Sequence, residues 1–140
     1  MGRPELPPLG LEGSQVSLIY IDYAFGFVLE PPELGEPTAR IRIGMTFELL
    51  GADGTSHPVI PGPPQDSVAP ALRLHNQVVL DATASADGTL KISFEDGSGL
   101  TVAPDPNYEA WELNGPVGMM VCLPGGGVAF WPAGAEGTPA

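Results

Sequence analysis

The side chains in this sequence that could do chemistry are two histidines, one cysteine and a set of spaced carboxylates. His57 falls in a proline-rich connection and His75 near the end of a short helical segment. Neither has a serine or cysteine beside it in a nucleophile motif. Triads assemble in space rather than along the chain, so spacing builds none here and no catalytic residue is assigned. Cys122 stands in a strand-like run with Met120 on its own side and Val121 and Leu123 on the other. That is the setting of a packed thiol rather than a reactive one.

Asp105, Asn107 and Glu109 alternate like the opening ligands of a calcium loop, but no glycine stands at the turn position and no distal bidentate glutamate follows. Pro106 makes a polar turn leading into a strand the simpler reading. Glu30, Glu33 and Glu36 are spread through a proline-rich connection and read as a solvated loop. Gly125 to Gly127 lacks the lysine, the Ser/Thr and the following helix of a phosphate-binding loop, so it reads as a turn. No metal site and no cofactor is expected.

Tyr108, Glu109, Trp111 and Glu112 form the most distinctive cluster. Trp111 is expected in the core, and Trp131 either closes the core or anchors a partner. Asp105, Tyr108, Glu109, Trp131, Arg40 and Arg42 are the candidate residues for binding a partner or ligand.

Seventeen Asp and Glu against five Lys and Arg give a net charge of −12. Nucleic acid is therefore a poor partner, since no window holds more than the Arg40/Arg42 pair, and an anionic membrane is disfavoured by the same sign. A basic protein is a permitted partner. The single cysteine forms no intrachain disulfide, and the start of the chain lacks the apolar stretch of a signal peptide, so a cytoplasmic location is expected. Scarce lysine and abundant Ala, Gly and Pro suggest a GC-rich bacterial source.

These residues must be positioned by strands. With 140 residues, 43% of them hydrophobic, the chain is expected to be one domain. Its core runs from about Leu9 to Trp131, with flexible ends at 1–8 and 132–140. Arg40 to Leu49 alternates as one strand, with Ile41, Ile43, Met45, Phe47 and Leu49 on the buried face. Leu90, Ile92 and Phe94 lead through Asp96-Gly97-Ser98-Gly99 into Leu100 and Val102 as a hairpin, and Met119 to Trp131 forms another around Pro124 to Gly127. One short helix is expected over Asp66 to Leu74, capped by Asp66 or Ser67, with Ala71, Leu72 and Leu74 on the core. Ser56 to Pro64, with four prolines, is the connection before it.

The pattern also repeats. Gln15-Val-Ser-Leu recurs as Gln77-Val-Val-Leu (77 − 15 = 62), and Phe47-Glu-Leu-Leu-Gly as Trp111-Glu-Leu-Asn-Gly (111 − 47 = 64). Gly54 maps onto Gly118 at the second spacing, and Phe25, Phe27 and Leu29 map onto Leu90, Ile92 and Phe94 (90 − 25 = 65). The fold expected is mostly β: two similar antiparallel units, about 15–60 and 77–131, related by a pseudo-two-fold in a compact sandwich or partly open barrel with one short helix. Tyr108 and Glu109 have no counterpart in the first unit, which is why they are candidates for a site.

The segment Leu100 to Trp131, with Tyr-Glu-Ala-Trp-Glu-Leu-Asn-Gly and Val-Cys-Leu-Pro-Gly-Gly-Gly-Val-Ala-Phe-Trp, resembles a family of small bacterial, actinobacterial proteins classified only as a domain of unknown function. The segment Asp87 to Gly97 resembles the same family. The resemblance implies a stand-alone domain and assigns no residue roles. The function expected is a non-enzymatic acidic interaction module, of the immunity-protein or regulatory kind. The alternatives are a small-molecule-binding or catalytic β-barrel using Tyr108, Glu109, Arg40 and Arg42, and a structural homo-oligomer joined at strand edges.

Overall fold

The computed structural model describes residues 6–134. The ends expected to be flexible lie largely outside this range; of the described part, Leu6 packs against the core. In chain order the elements are β1 (Gln15–Ile21), β2 (Phe25–Glu30), β3 (Ala39–Ile43), β4 (Phe47–Leu50), β5 (Ser56–Val59) and a 3-10 helix (Asp66–Leu74). Then follow β6 (Val79–Ala84), β7 (Leu90–Phe94), β8 (Gly99–Val102), β9 (Trp111–Gly115), β10 (Gly118–Cys122) and β11 (Val128–Pro132). They make two antiparallel sheets, ordered β1-β2-β3-β9-β10-β11 and β5-β4-β8-β7-β6. Alternating apolar residues from both sheets, among them Phe27, Ile41, Leu113, Leu49, Ile92 and Leu100, meet in one buried cluster. The fold is a compact β-sandwich and not a closed barrel.

The duplication is visible in the strand order. The first half sends a three-stranded meander (β1-β2-β3) into one sheet and a hairpin (β4-β5) into the other; the second half does the same with the sheets exchanged. β3 pairs with β9 where β8 pairs with β4. β11 is the addition that the first half lacks.

Both meanders begin with a bulged strand. Pairing shifts between Val16 and Leu18 in β1, and between Val79 and Asp81 in β6. Val16 and Val79, both buried, are therefore equivalent, so the spacing here is 63 (79 − 16) rather than the 62 read from the Gln-Val motif. The extra residue of a bulge preserves the inward face only if both copies carry it at the same place. Gly118 faces Gly115, whereas Gly51 bonds to Thr55, so the counterpart of Gly118 is Thr55 rather than Gly54.

Three local expectations are corrected. Arg40 to Leu49 is two strands, because the chain crosses from one sheet to the other at Gly44 to Thr46 while Ile43 and Phe47 stay in the core. A crossing between two facing sheets keeps the period-2 pattern, so the pattern alone hides it. The helix spans the expected residues as a 3-10 helix entered from Gln65 without a side-chain cap, and Val68 rather than Leu72 is buried beside Ala71 and Leu74. Ser56–Val59, read as connection, is β5, an edge strand, a place where Pro58 with no N–H to offer is tolerated.

Candidate functional site

Cross-strand pairing places three of the candidate residues on the outward face of the six-stranded sheet. One row runs Leu18, Val28, Arg40, Asn114, Met119, Trp131, and the next runs Tyr20, Gly26, Arg42, Glu112, Val121, Ala129. Trp131 is thus neither in the core nor a lid over it; its neighbour Phe130 points inward and packs there. Gly26 is required by Tyr20, whose ring occupies the space in which a Cβ would sit. Arg42 Nη1 is 3.0 Å from Asp22 Oδ2. The Arg42 guanidinium, with the Ala24 amide on the same carboxylate, holds Asp22 below the usual carboxylate range and is itself raised by the pairing. Arg40 is exposed.

The connection from β8 to β9 carries the other three candidates. Asp105 Oδ2 accepts from the amides of Asn107 and Tyr108, at 2.8 and 3.0 Å, so this carboxylate shapes its own turn. Tyr108 and Glu109 are exposed. Glu109 shares a shallow hollow of about 150 Å³ with Arg42 and Glu112, while Arg40 lines a separate one with Asn114 and Met119, and Tyr108 lines neither. Neither hollow brings Tyr108, Glu109, Arg40 and Arg42 together.

Asp105 is one of five aspartates spent in this way. Asp22, Asp53, Asp87 and Asp96 each accept the amide two residues on, at Ala24, Thr55, Thr89 and Ser98. Part of the acidity therefore belongs to turn chemistry.

At the same end of the molecule the two sheets are tied through one carbonyl. Trp111 Nε1 donates to Gly88 O at 2.8 Å, and Cys122 Sγ donates to it at 3.4 Å. Gly88 has φ +103°, and a Cβ there would lie 3.0 Å from Cys122 Sγ. Burial pushes the thiol up, and the carboxylates of Asp87 and Glu109 add to the rise. The cysteine is packed and hydrogen-bonded, as its place in the strand suggested.

At the opposite end is a groove that the sequence reading passed over. The β2–β3 connection, residues 31–38, folds toward the segment before β1 and encloses about 250 Å³. Pro31, Pro32, Pro37 and Pro116 form much of its wall, Glu12, Glu33 and Glu36 line it, and no Lys, Arg or His among the described residues does. Leu34, at the tip of the loop, is fully exposed. The signal was available: the spacing between the halves falls from 65 (Leu29 to Phe94) to 59 (Ile41 to Leu100), so this loop has six residues with no counterpart in the second half. Glu33 to Glu36, like Tyr108 and Glu109, have no counterpart in the other half.

Among the described residues no group of three or more His, Cys, Asp or Glu is placed to hold a metal ion. No helix among them is long and apolar enough to cross a membrane. A family model, described as a family of unknown function (DUF6188), matches residues 7–132. The chain belongs to that family. The match takes in all eleven strands and both end regions of the sandwich, so the DUF6188 unit is the whole fold rather than one of its halves. No curated protein and no solved structure matches the chain.

Proposed function

We propose that the protein is a non-enzymatic interaction module that receives a basic segment of a partner protein in the groove between the β2–β3 loop and the segment before β1. The observation that carries this reading is the lining of the groove: three carboxylates, Glu12, Glu33 and Glu36, with no cation among the described residues beside them, on walls made largely by prolines. Prolines fix φ, so little conformational freedom is lost when the loop is engaged. A net charge of −12 steers a basic partner toward this surface, and Leu34 offers an apolar anchor at the rim. An immunity-type or regulatory role follows from the same chemistry, in which an acidic surface covers a basic one. A cytoplasmic location belongs to this proposal, in keeping with a lone buried thiol.

The test is binding of a fluorescent arginine- and leucine-containing peptide, followed by anisotropy, with its glutamate counterpart as the control. The wild type binds the basic peptide with an affinity that falls as salt rises, and Glu33→Lys/Glu36→Lys loses it. Equal binding by the double variant rejects the groove as the site.

A further inference from the structure

The two sheets end in the edge strands β1, β11, β5 and β6, and three of these are guarded against pairing with another chain. β1 and β6 each carry a bulge and hold each other's starts, with Val16 N donating to Gln77 O and Val79 N to Ser14 O. On β5 the ladder to β4 begins where Gly51 N donates to Thr55 O, so the backbone groups facing outward belong to Ser56 and Pro58, and Pro58 has no N–H. β11 has no such device. Its register with β10 is unbroken, all its residues are apolar (Val-Ala-Phe-Trp-Pro), and none of them is buried. The ladder from β10 runs through Ala129 and Trp131, because Leu123 N donates to Gly127 O at one end and Ala133 N to Val117 O at the other. The N–H and C=O groups of Val128 and Phe130 therefore point to the open edge.

Charge decides what can approach this edge. Residues 113–135 hold no Asp, Glu, Lys or Arg, the longest such run in the chain. A molecule with a net charge of −12 repels its own copies, least where its charges stand back. With β11 against β11 of a second copy, the nearest charged residues within the joined sheet are the two Glu112 side chains on β9. They stand five strand spacings apart, about 24 Å, against a Debye length of about 8 Å at physiological salt. Pro132 selects the register. Antiparallel pairing about Phe130 would set the Val128 carbonyl against Pro132, which has no N–H to donate. Pairing about Ala129 sets Val128 against Phe130 of the second copy, so every N–H and C=O of these two residues finds a partner. On the outward face Ala129 then meets Ala129, and each Trp131 lies against Gly127 of the other copy, where small residues leave room for the indole. We propose that the protein forms a symmetric dimer by antiparallel pairing of β11 with β11 of a second copy about a two-fold axis at Ala129, joining the two six-stranded sheets into one.

This edge lies across the sheet from β1 and rests on nothing in the Glu33/Glu36 groove. The seam is short, so a dissociation constant of about 10–100 μM is expected. Sedimentation equilibrium of the full chain between about 5 and about 500 μM measures it. The affinity is expected to rise severalfold between about 20 and about 300 mM salt, opposite in sign to the salt response of a basic partner in the groove. Ala129 is half-exposed on the outward face, so Ala129→Lys and Ala129→Glu are expected to fold. Each sets like charges across the axis and is expected to be a monomer, and an equimolar mixture of the two is expected to dimerise again. A wild type that stays monomeric at every concentration and salt, single variants that still dimerise, or a mixture that stays monomeric overturns the proposal.

Discussion

Gln15 and Val78 face each other in an isolated antiparallel bridge, and the pseudo-two-fold axis of the molecule passes between them. The hydrogen bonds around the bridge come in related pairs. Val16 N donates to Gln77 O as Val79 N donates to Ser14 O, and Asn76 N donates to Val16 O as Gly13 N donates to Val79 O. A shift of 63 residues exchanges the members of each pair. The bridge links the first strand of one meander to the first strand of the other, so the two sheets are joined along that edge, and β1 and β6 shield each other's starts from pairing with a second chain.

If the halves are equivalent, equivalent residues carry equal loads. Val16→Ala and Val79→Ala are each expected to cost about 2 kcal/mol, the removal of two buried methyl groups plus the cavity left behind. Urea unfolding measures both. A difference between them well beyond about 0.5 kcal/mol contradicts the assigned equivalence.

The tie between the sheets at Gly88 is asymmetric, since Phe47 stands where Trp111 would have its counterpart and has no N–H to offer. Trp111→Phe keeps a ring in the core and leaves the Gly88 carbonyl with only the weak thiol donor of Cys122, so a loss of about 1–2 kcal/mol is expected in equilibrium unfolding. Gly88→Ala forces a side chain into a left-handed conformation against Cys122 and Gly127 and is expected to cost at least as much. A Trp111→Phe variant as stable as the wild type would remove this bond from the account.

Cys122 has a folded-state pKa raised by burial above its ordinary value of 9.0. A raised value stabilises the fold below the unfolded pKa, and that contribution is lost as pH climbs through the folded one. Stability is therefore expected to fall above about pH 9 in the wild type and to fall less in Cys122→Ala. The native thiol is expected to resist a disulfide reagent at pH 8 until the chain unfolds. Immediate stoichiometric labelling would show the thiol to be open.

At the acid end the sign reverses. Asp22, paired with Arg42, and Asp53, bonded by Thr55, are both depressed below their ordinary value of 3.8. Their contribution is present above that value and disappears as pH falls below it. Asp22→Asn is expected to lower stability slightly at neutral pH, by whatever the pair contributes there, and to converge with the wild type in acid, so that its acid limb is flatter. An unaltered acid limb would mean that the pair contributes nothing measurable in water.

The strands were legible because their alternation is strict, as in Leu90, Ile92 and Phe94, and their turns announce themselves through Asp-Gly. The duplication was legible from short motifs, to within one residue, because the match of Gln15 with Gln77 is one position out of register with the equivalence of Val16 and Val79. The crossing at Gly44 was hidden because inward residues stay inward when a strand changes sheets. The candidate site was legible only in part. Arg40, Arg42 and Trp131 do share one face, because their parity along β3 and β11 matches through the sheet order, which no local pattern reveals. The groove at Glu33 to Glu36 depends on what packs opposite it, and that is a tertiary fact. His57 followed by Pro58 reads as loop until the pairing of Leu49 with His57 makes it an inward strand position.

The central claim is that the β2–β3 groove receives a basic partner. The most direct measurement captures proteins from the organism's own extract on the wild type and on Glu33→Lys/Glu36→Lys, at about 20 mM and about 150 mM salt. One basic protein is predicted to be retained in near-stoichiometric amount by the wild type, more strongly at the lower salt, and to be absent from the double variant. Retention of the same proteins by both forms, or of no basic protein by either, would contradict the account.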